Sequence, residues 1–140
     1  MNFLDRGIQL TRGFRALKLW FSIQVFGLAA FRQAVGWGLH LAEFAAARLD
    51  RMPGWQVLAP PSLGVVAFCY RPSGMPPEDA DALNRAIADR IAADGRSMVS
   101  TTVLHHRTVL RLCTINPRTS ETDVLETLAL LDDAARTNQE

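Results

Sequence analysis

"SMVSTTVLHHRTVLRLCTI", residues 97–115, is rich in Val, Thr and Leu on both sides of a His-His-Arg interruption. β-Branched runs broken by a short polar tip predict two strands, 97–104 and 108–115, joined as a hairpin. Neighbouring residues on a strand point to opposite faces, so His105 and His106 do not form a ligand pair. No further Cys, His or acidic cluster completes a metal site around them. They are expected to be a polar hairpin tip.

Upstream, "WQVLA" (55–59) and "LGVVAFCY" (63–70) read as two more strands, divided by Pro60-Pro61 and expected to lie antiparallel. Between the strand pairs, residues 77–93 predict a helix with Pro at its first turn, Glu78, Asp79 and Asp81 favourable to the dipole there, and Gly95 beyond its end. Leu83, Ile87 and Ile91 form its apolar stripe. A last helix follows Ser120, a cap residue with Asp123 three positions on; Val124, Leu125, Leu128 and Leu131 are expected to face inward. Two helices precede the strands, about 11–26 and 28–52, separated by Gly27 and ended by Pro53-Gly54. In the second, Phe31, Val35, Leu39, Ala42, Phe44 and Leu49 recur at helical spacing. The order predicts an α+β fold, a small, mostly antiparallel sheet flanked by helices.

The 140 residues fit one domain with a real core, 49% of them apolar and with a net charge of +1, which argues against a disordered chain or a basic nucleic-acid binder. Charge is uneven: residues 1–51 carry seven Arg or Lys against three acids, and residues 119–140 carry six acids against Arg136. Cys69 and Cys113 lie in apolar runs and match no metal or disulfide pattern, so buried free thiols are expected. "MNFLDRG" does not open a signal peptide, and "LWFSIQVFGLAAF" (19–31) falls short of the roughly 20 apolar residues of a membrane span. A cytoplasmic location, no membrane span and no nucleic-acid partner are the expectations.

Chemistry-bearing motifs are scarce. There is no G-x-S-x-G, no P-loop and no G-x-G-x-x-G; Gly36 and Gly38 lie within a helical pattern and are expected to permit close packing. His40, near Glu43, reads as a hydrogen-bonded helix residue. Lys18 is the single lysine, beside Arg12 and Arg15 on one side of the first helix.

Four stretches, "GIQLTRGFRALKLWF" (7–21), "FGLAAFR" (26–32), "LGVVAFCYRP" (63–72) and "VLRLCTINPRTSETDV" (109–124), resemble the C-terminal part of the group II pyridoxal-phosphate-dependent amino-acid decarboxylases, a family that includes the aromatic-L-amino-acid and histidine decarboxylases. The resemblance implies the C-terminal small domain of a fold-type-I pyridoxal-phosphate enzyme, a homodimer that removes the α-carboxylate of an amino acid. Residues 1–27 then form the end of the cofactor-domain connection and the first helix, and residues 28–140 the small domain.

Lys18 matches a helix lysine of that family, not the Schiff-base lysine, which in the family lies upstream with the other cofactor contacts. The resemblance therefore assigns no catalytic and no cofactor-binding residue to these 140. It puts Thr11 at the substrate pocket and Arg12 and Arg15 near the active site. Gly13 replaces the second arginine of the family's pair, Gln24 another arginine and Cys69 a strand arginine, which weakens analogy with the animal enzymes. The expected function is a C-terminal fragment of an amino-acid decarboxylase for an aromatic-type substrate, inactive without its N-terminal cofactor domain. A non-catalytic α+β module that dimerises through the apolar first helix is the alternative.

Overall fold

The computed structural model of the chain describes residues 13–137. They form α1 (Arg15–Leu49), β1 (Trp55–Val57), β2 (Val65–Tyr70), α2 (Pro77–Asp94), β3 (Ser100–Leu104), β4 (Arg107–Cys113) and α3 (Glu121–Thr137). The strands make one antiparallel sheet in the order β1-β2-β4-β3. Both expected strand pairings are present, and the α+β class holds. The chain divides into two units, one ending at Gln33 and the other beginning at Ala34.

In the first unit Gly27 interrupts α1 at φ 77, ψ 158, a backbone region that a side chain would make costly. Phe14, just before the helix, and Trp20, Phe21, Val25 and Phe26 in the helical arm are exposed, with the rings of Trp20 and Phe21 edge to face at 5.1 Å. A surface this apolar is one that a soluble protein ordinarily covers.

The second unit has one core. Alternate residues of β2, Val66, Phe68 and Tyr70, and Leu110 and Leu112 of β4 face Leu41, Ala45 and Leu49 of α1, the Leu83-Ile87-Ile91 stripe of α2, and Leu128 and Leu131 of α3. Complete burial of a side chain such as Phe68 stabilises the fold by about 2–3 kcal/mol. On the other sheet face Val65, Ala67 and Cys69 are half-buried and Arg111 and Cys113 exposed. The expectation of two buried thiols is thus corrected: strand alternation turns Cys113 outward.

Two helix faces also differ from expectation. α1 buries Gly38, Leu41, Ala42, Ala45, Ala46 and Leu49, so small residues bring it onto the sheet, while Val35 and Leu39 lie exposed. In α3, Leu125 is 41% exposed, because the buried row is Val124, Thr127, Leu128, Leu131 and Ala135.

The ends of the elements follow their local chemistry. The Ser120 hydroxyl accepts from the Asp123 N–H, and the Asp123 carboxylate accepts from the Ser120 N–H and hydroxyl. Those bonds hold the Asp123 carboxyl below its ordinary value. The 97–104 strand is shortened to Ser100–Leu104. "LGVVAFCY" also loses its first two residues, since Leu63 and Gly64 form a tight left-handed turn closed by Ser62–Val65 backbone bonds of 3.1 and 2.9 Å.

Candidate functional site

Thr11 and Arg12 lie outside the described residues. Arg15 opens α1, its N–H bonded to the Gly13 carbonyl at 2.8 Å and its side chain exposed. Lys18, one turn on, is exposed as well, and its carbonyl receives the Ser22 hydroxyl at 2.8 Å.

Within the second unit, three places bring chemistry-bearing side chains together. Trp37 donates its indole N–H to the Thr119 carbonyl at 2.7 Å and stacks on His40 at 5.1 Å, and His40 Nε2 lies 2.7 Å from Glu121 Oε1. His40 is hydrogen-bonded, as expected of it, and the residue that meets it is 81 positions away, at the start of α3. These contacts tie α1 to the α3 cap.

A second cluster lies beside Cys69, where a cavity of about 130 Å³ is bordered by Gln56, Arg71, His105 and Arg107. The Arg107 guanidinium is committed to Asp81 at 3.0 Å and to the Pro77 carbonyl at 2.9 Å. Burial pushes the Cys69 thiol above its ordinary pKa, and the nearby Arg107 and Arg71 offset only part of that rise. A thiol held in its neutral form is a poor nucleophile. His105 and His106 occupy the β3–β4 turn at φ 49 and 61, as a polar tip.

The third place is a junction of three backbones. Thr114 directs its hydroxyl at the carbonyls of Gly38 (2.7 Å) and Gly64 (3.1 Å), and its N–H bonds Gly64 O at 2.8 Å. A Cβ on Gly38 would lie 3.0 Å from the Thr114 carbonyl oxygen, so α1 can pass the end of β4 this closely only without a side chain there. Of the two glycines expected to permit close packing, Gly38 does so and Gly36 meets open space. Asn84 plays a similar part in the sheet. Beyond Phe68↔Leu110 the β2–β4 ladder stops, and Asn84 takes up the N–H and C=O of Tyr70 at 2.8 and 3.0 Å.

Pyridoxal phosphate needs an amine, a group against its pyridine nitrogen and a phosphate cradle. The described residues do not fit it. The one amine side chain, on Lys18, is exposed on α1 and does not border the cavity beside Cys69. Among the described residues no group of three or more His, Cys, Asp or Glu could hold a metal ion, and no helix is long and apolar enough to cross a membrane.

Over 127 residues, 90% of its length, the chain is 45% identical to an aromatic-L-amino-acid decarboxylase of Bacillus atrophaeus, of which it covers 26%. It is 30% identical to an L-2,4-diaminobutyrate decarboxylase of Acinetobacter baumannii, over 91% of this chain and 25% of that protein. The chain is a homologue of the C-terminal region of group II pyridoxal-phosphate-dependent amino-acid decarboxylases. Its fold matches that decarboxylase region in the crystal structure of Oryza sativa TDC with PLP and tryptamine at a TM-score of 0.86. The match covers 100% of this chain and 29% of that one at 23% identity, a likeness of fold. No protein-family model matches the chain. It spans about a quarter of the length of the curated decarboxylases it matches.

The decarboxylase homology was legible in short motifs. Asn84 and Thr114 were not: each acts through a partner remote in sequence, and no local pattern marks it.

Proposed function

We propose that this chain forms the C-terminal part of a pyridoxal-phosphate-dependent amino-acid decarboxylase, a carboxy-lyase with an aromatic-type substrate, and that it does not decarboxylate alone. The observation that carries the reading is the 45% identity to the Bacillus atrophaeus enzyme over 90% of the chain. Residues 1–27 connect to the cofactor-binding portion and 28–140 form the small domain. Bound pyridoxal phosphate supplies the electron sink for the pair left when carbon dioxide departs. That cofactor is held by the N-terminal portion of the polypeptide, in a homodimer. Thr11 borders the substrate side chain, with Arg12 and Arg15 beside the pocket. The uncovered Trp20, Phe21 and Phe26 of α1 are in keeping with a helix that packs against further protein.

A fusion tests this reading: the aligned C-terminal quarter of the Bacillus atrophaeus enzyme is replaced by this chain. With pyridoxal phosphate present the fusion is expected to release carbon dioxide from tyrosine or tryptophan, and the 140-residue chain to stay at background. A fusion that fails to assemble, or that binds the cofactor without releasing carbon dioxide, contradicts the proposal.

A further inference from the structure

Four exposed apolar side chains surround the Gly38–Gly64–Thr114 junction. Leu63 is 80% exposed and precedes Gly64; Ile115 is 70% exposed and follows Thr114. Leu39 adjoins Gly38, and Val35 lies one turn before it on the same side of α1. The backbone beneath them is fixed by the bonds of Thr114 to Gly38 and Gly64, so the platform is rigid.

Leu63 stands out by its backbone. It is the first central residue of a two-residue hairpin turn, at φ 51 with Gly64 at φ 75, and such turns favour Asn, Asp or Gly at both positions. The β3–β4 turn meets the same demand with His105 and His106, a residue type that tolerates left-handed backbone. A bulky leucine there is strained, and at 80% exposure it returns nothing to the core. A strained residue presenting an apolar side chain to solvent is one whose contact lies outside the described fold.

We infer that Leu63, Ile115, Val35 and Leu39 form a docking surface for the N-terminal portion of a decarboxylase polypeptide, with Leu63 as its anchor. The inference rests on the proposed function, and the occupant follows from length. The homologous region makes up 26% of the Bacillus atrophaeus enzyme and 29% of the Oryza sativa chain, so about three-quarters of such a protein lies beyond it. None of the four side chains is charged, which fits an occupant that presents an apolar surface.

Leu63→Asn separates strain from docking, because asparagine suits the turn and removes the apolar contact. In the isolated chain it is expected to raise Tm by about 3–5 °C. In the fusion with the Bacillus atrophaeus N-terminal portion it is expected to lower Tm by a similar amount. Ile115→Ser should leave the isolated chain unchanged and lower the Tm of the fusion. An active fusion whose Tm is unchanged or raised by both substitutions overturns the docking surface while the proposed function stands. An inactive fusion whose Tm falls with both supports the surface and removes the proposed function. Sedimentation of the isolated chain covers the other occupant: a dimer that Leu63→Asn dissociates means a second copy sits on the platform, which also overturns the inference.

Discussion

Asn84→Ala is expected to destabilise the chain by about 2–4 kcal/mol, read as a lower urea midpoint at unchanged slope. Asn84 is 1% exposed, and its side chain accepts from the Tyr70 N–H at 2.8 Å and donates to the carbonyls of Tyr70 at 3.0 Å and Ala80 at 2.6 Å. Alanine removes the side-chain partner that the Tyr70 backbone has there, at a point where β4 no longer runs alongside to replace it. The three bonds, all made in a buried place, are lost together.

Asn84→Asp sharpens the test. One carboxyl oxygen can still accept from Tyr70, but the other then faces two carbonyls, a geometry that only the protonated acid satisfies. The introduced group therefore has its pKa raised on folding. Its penalty should be small below the ordinary carboxylate range and grow as the pH rises above it. A midpoint for Asn84→Ala within about 0.5 kcal/mol of the parent would show that Tyr70 does not depend on this side chain.

Gly36→Ala and Gly38→Ala are expected to have opposite signs although the residues are two apart in one helix. Alanine is favoured over glycine in a helix interior by about 0.5–1 kcal/mol, and a Cβ at Gly36 meets nothing within 4 Å, so Gly36→Ala should stabilise by about that amount. At Gly38 the Cβ would lie 3.0 Å from the Thr114 carbonyl oxygen and 3.5 Å from the Ile115 Cα. These are backbone atoms held by the Thr114 bonds and cannot swing aside. Overpacking of this kind costs about 1–3 kcal/mol, which exceeds the gain in helix propensity and leaves Gly38→Ala destabilised. Thermal melts of both variants decide the matter; a gain in both would mean that α1 does not approach β4 as closely as the junction requires.

Much of this architecture could be read from local pattern. The hairpin around His105-His106, the Leu83-Ile87-Ile91 stripe and the Ser120–Asp123 cap each depend on residues within a few positions of one another, where periodicity and capping chemistry act directly. Contacts made at long range were hidden. Val35 and Leu39 fit a helical repeat as well as Leu41 and Ala45 do, and the side that is buried is the one that packs with strands and helices remote in sequence. Leu63 stands in a run whose Val and aromatic content reads as strand, and the left-handed turn it takes leaves no mark in composition. Apolar neighbours suggest that Cys113 is buried, whereas the alternation with Leu112 turns it out.

The candidate site was legible only through resemblance. Thr11 and Arg12 lie outside the described residues, and Arg15 is exposed at the first residue of α1. Nothing in residue spacing alone would have marked any of the three. What composition did establish is that one amine side chain, on Lys18, is present, and this bears directly on the cofactor.

On the proposed function these 140 residues form the C-terminal part of a decarboxylase and do not hold its cofactor site. Titration of the purified chain with pyridoxal phosphate, followed by absorbance and set beside Lys18→Ala, tests this. The expected result is no saturable absorbance change that distinguishes the two proteins, and no carbon dioxide from tyrosine, tryptophan, histidine or glutamate. A saturable band that disappears in Lys18→Ala and accompanies turnover would contradict the claim and make Lys18 a catalytic amine.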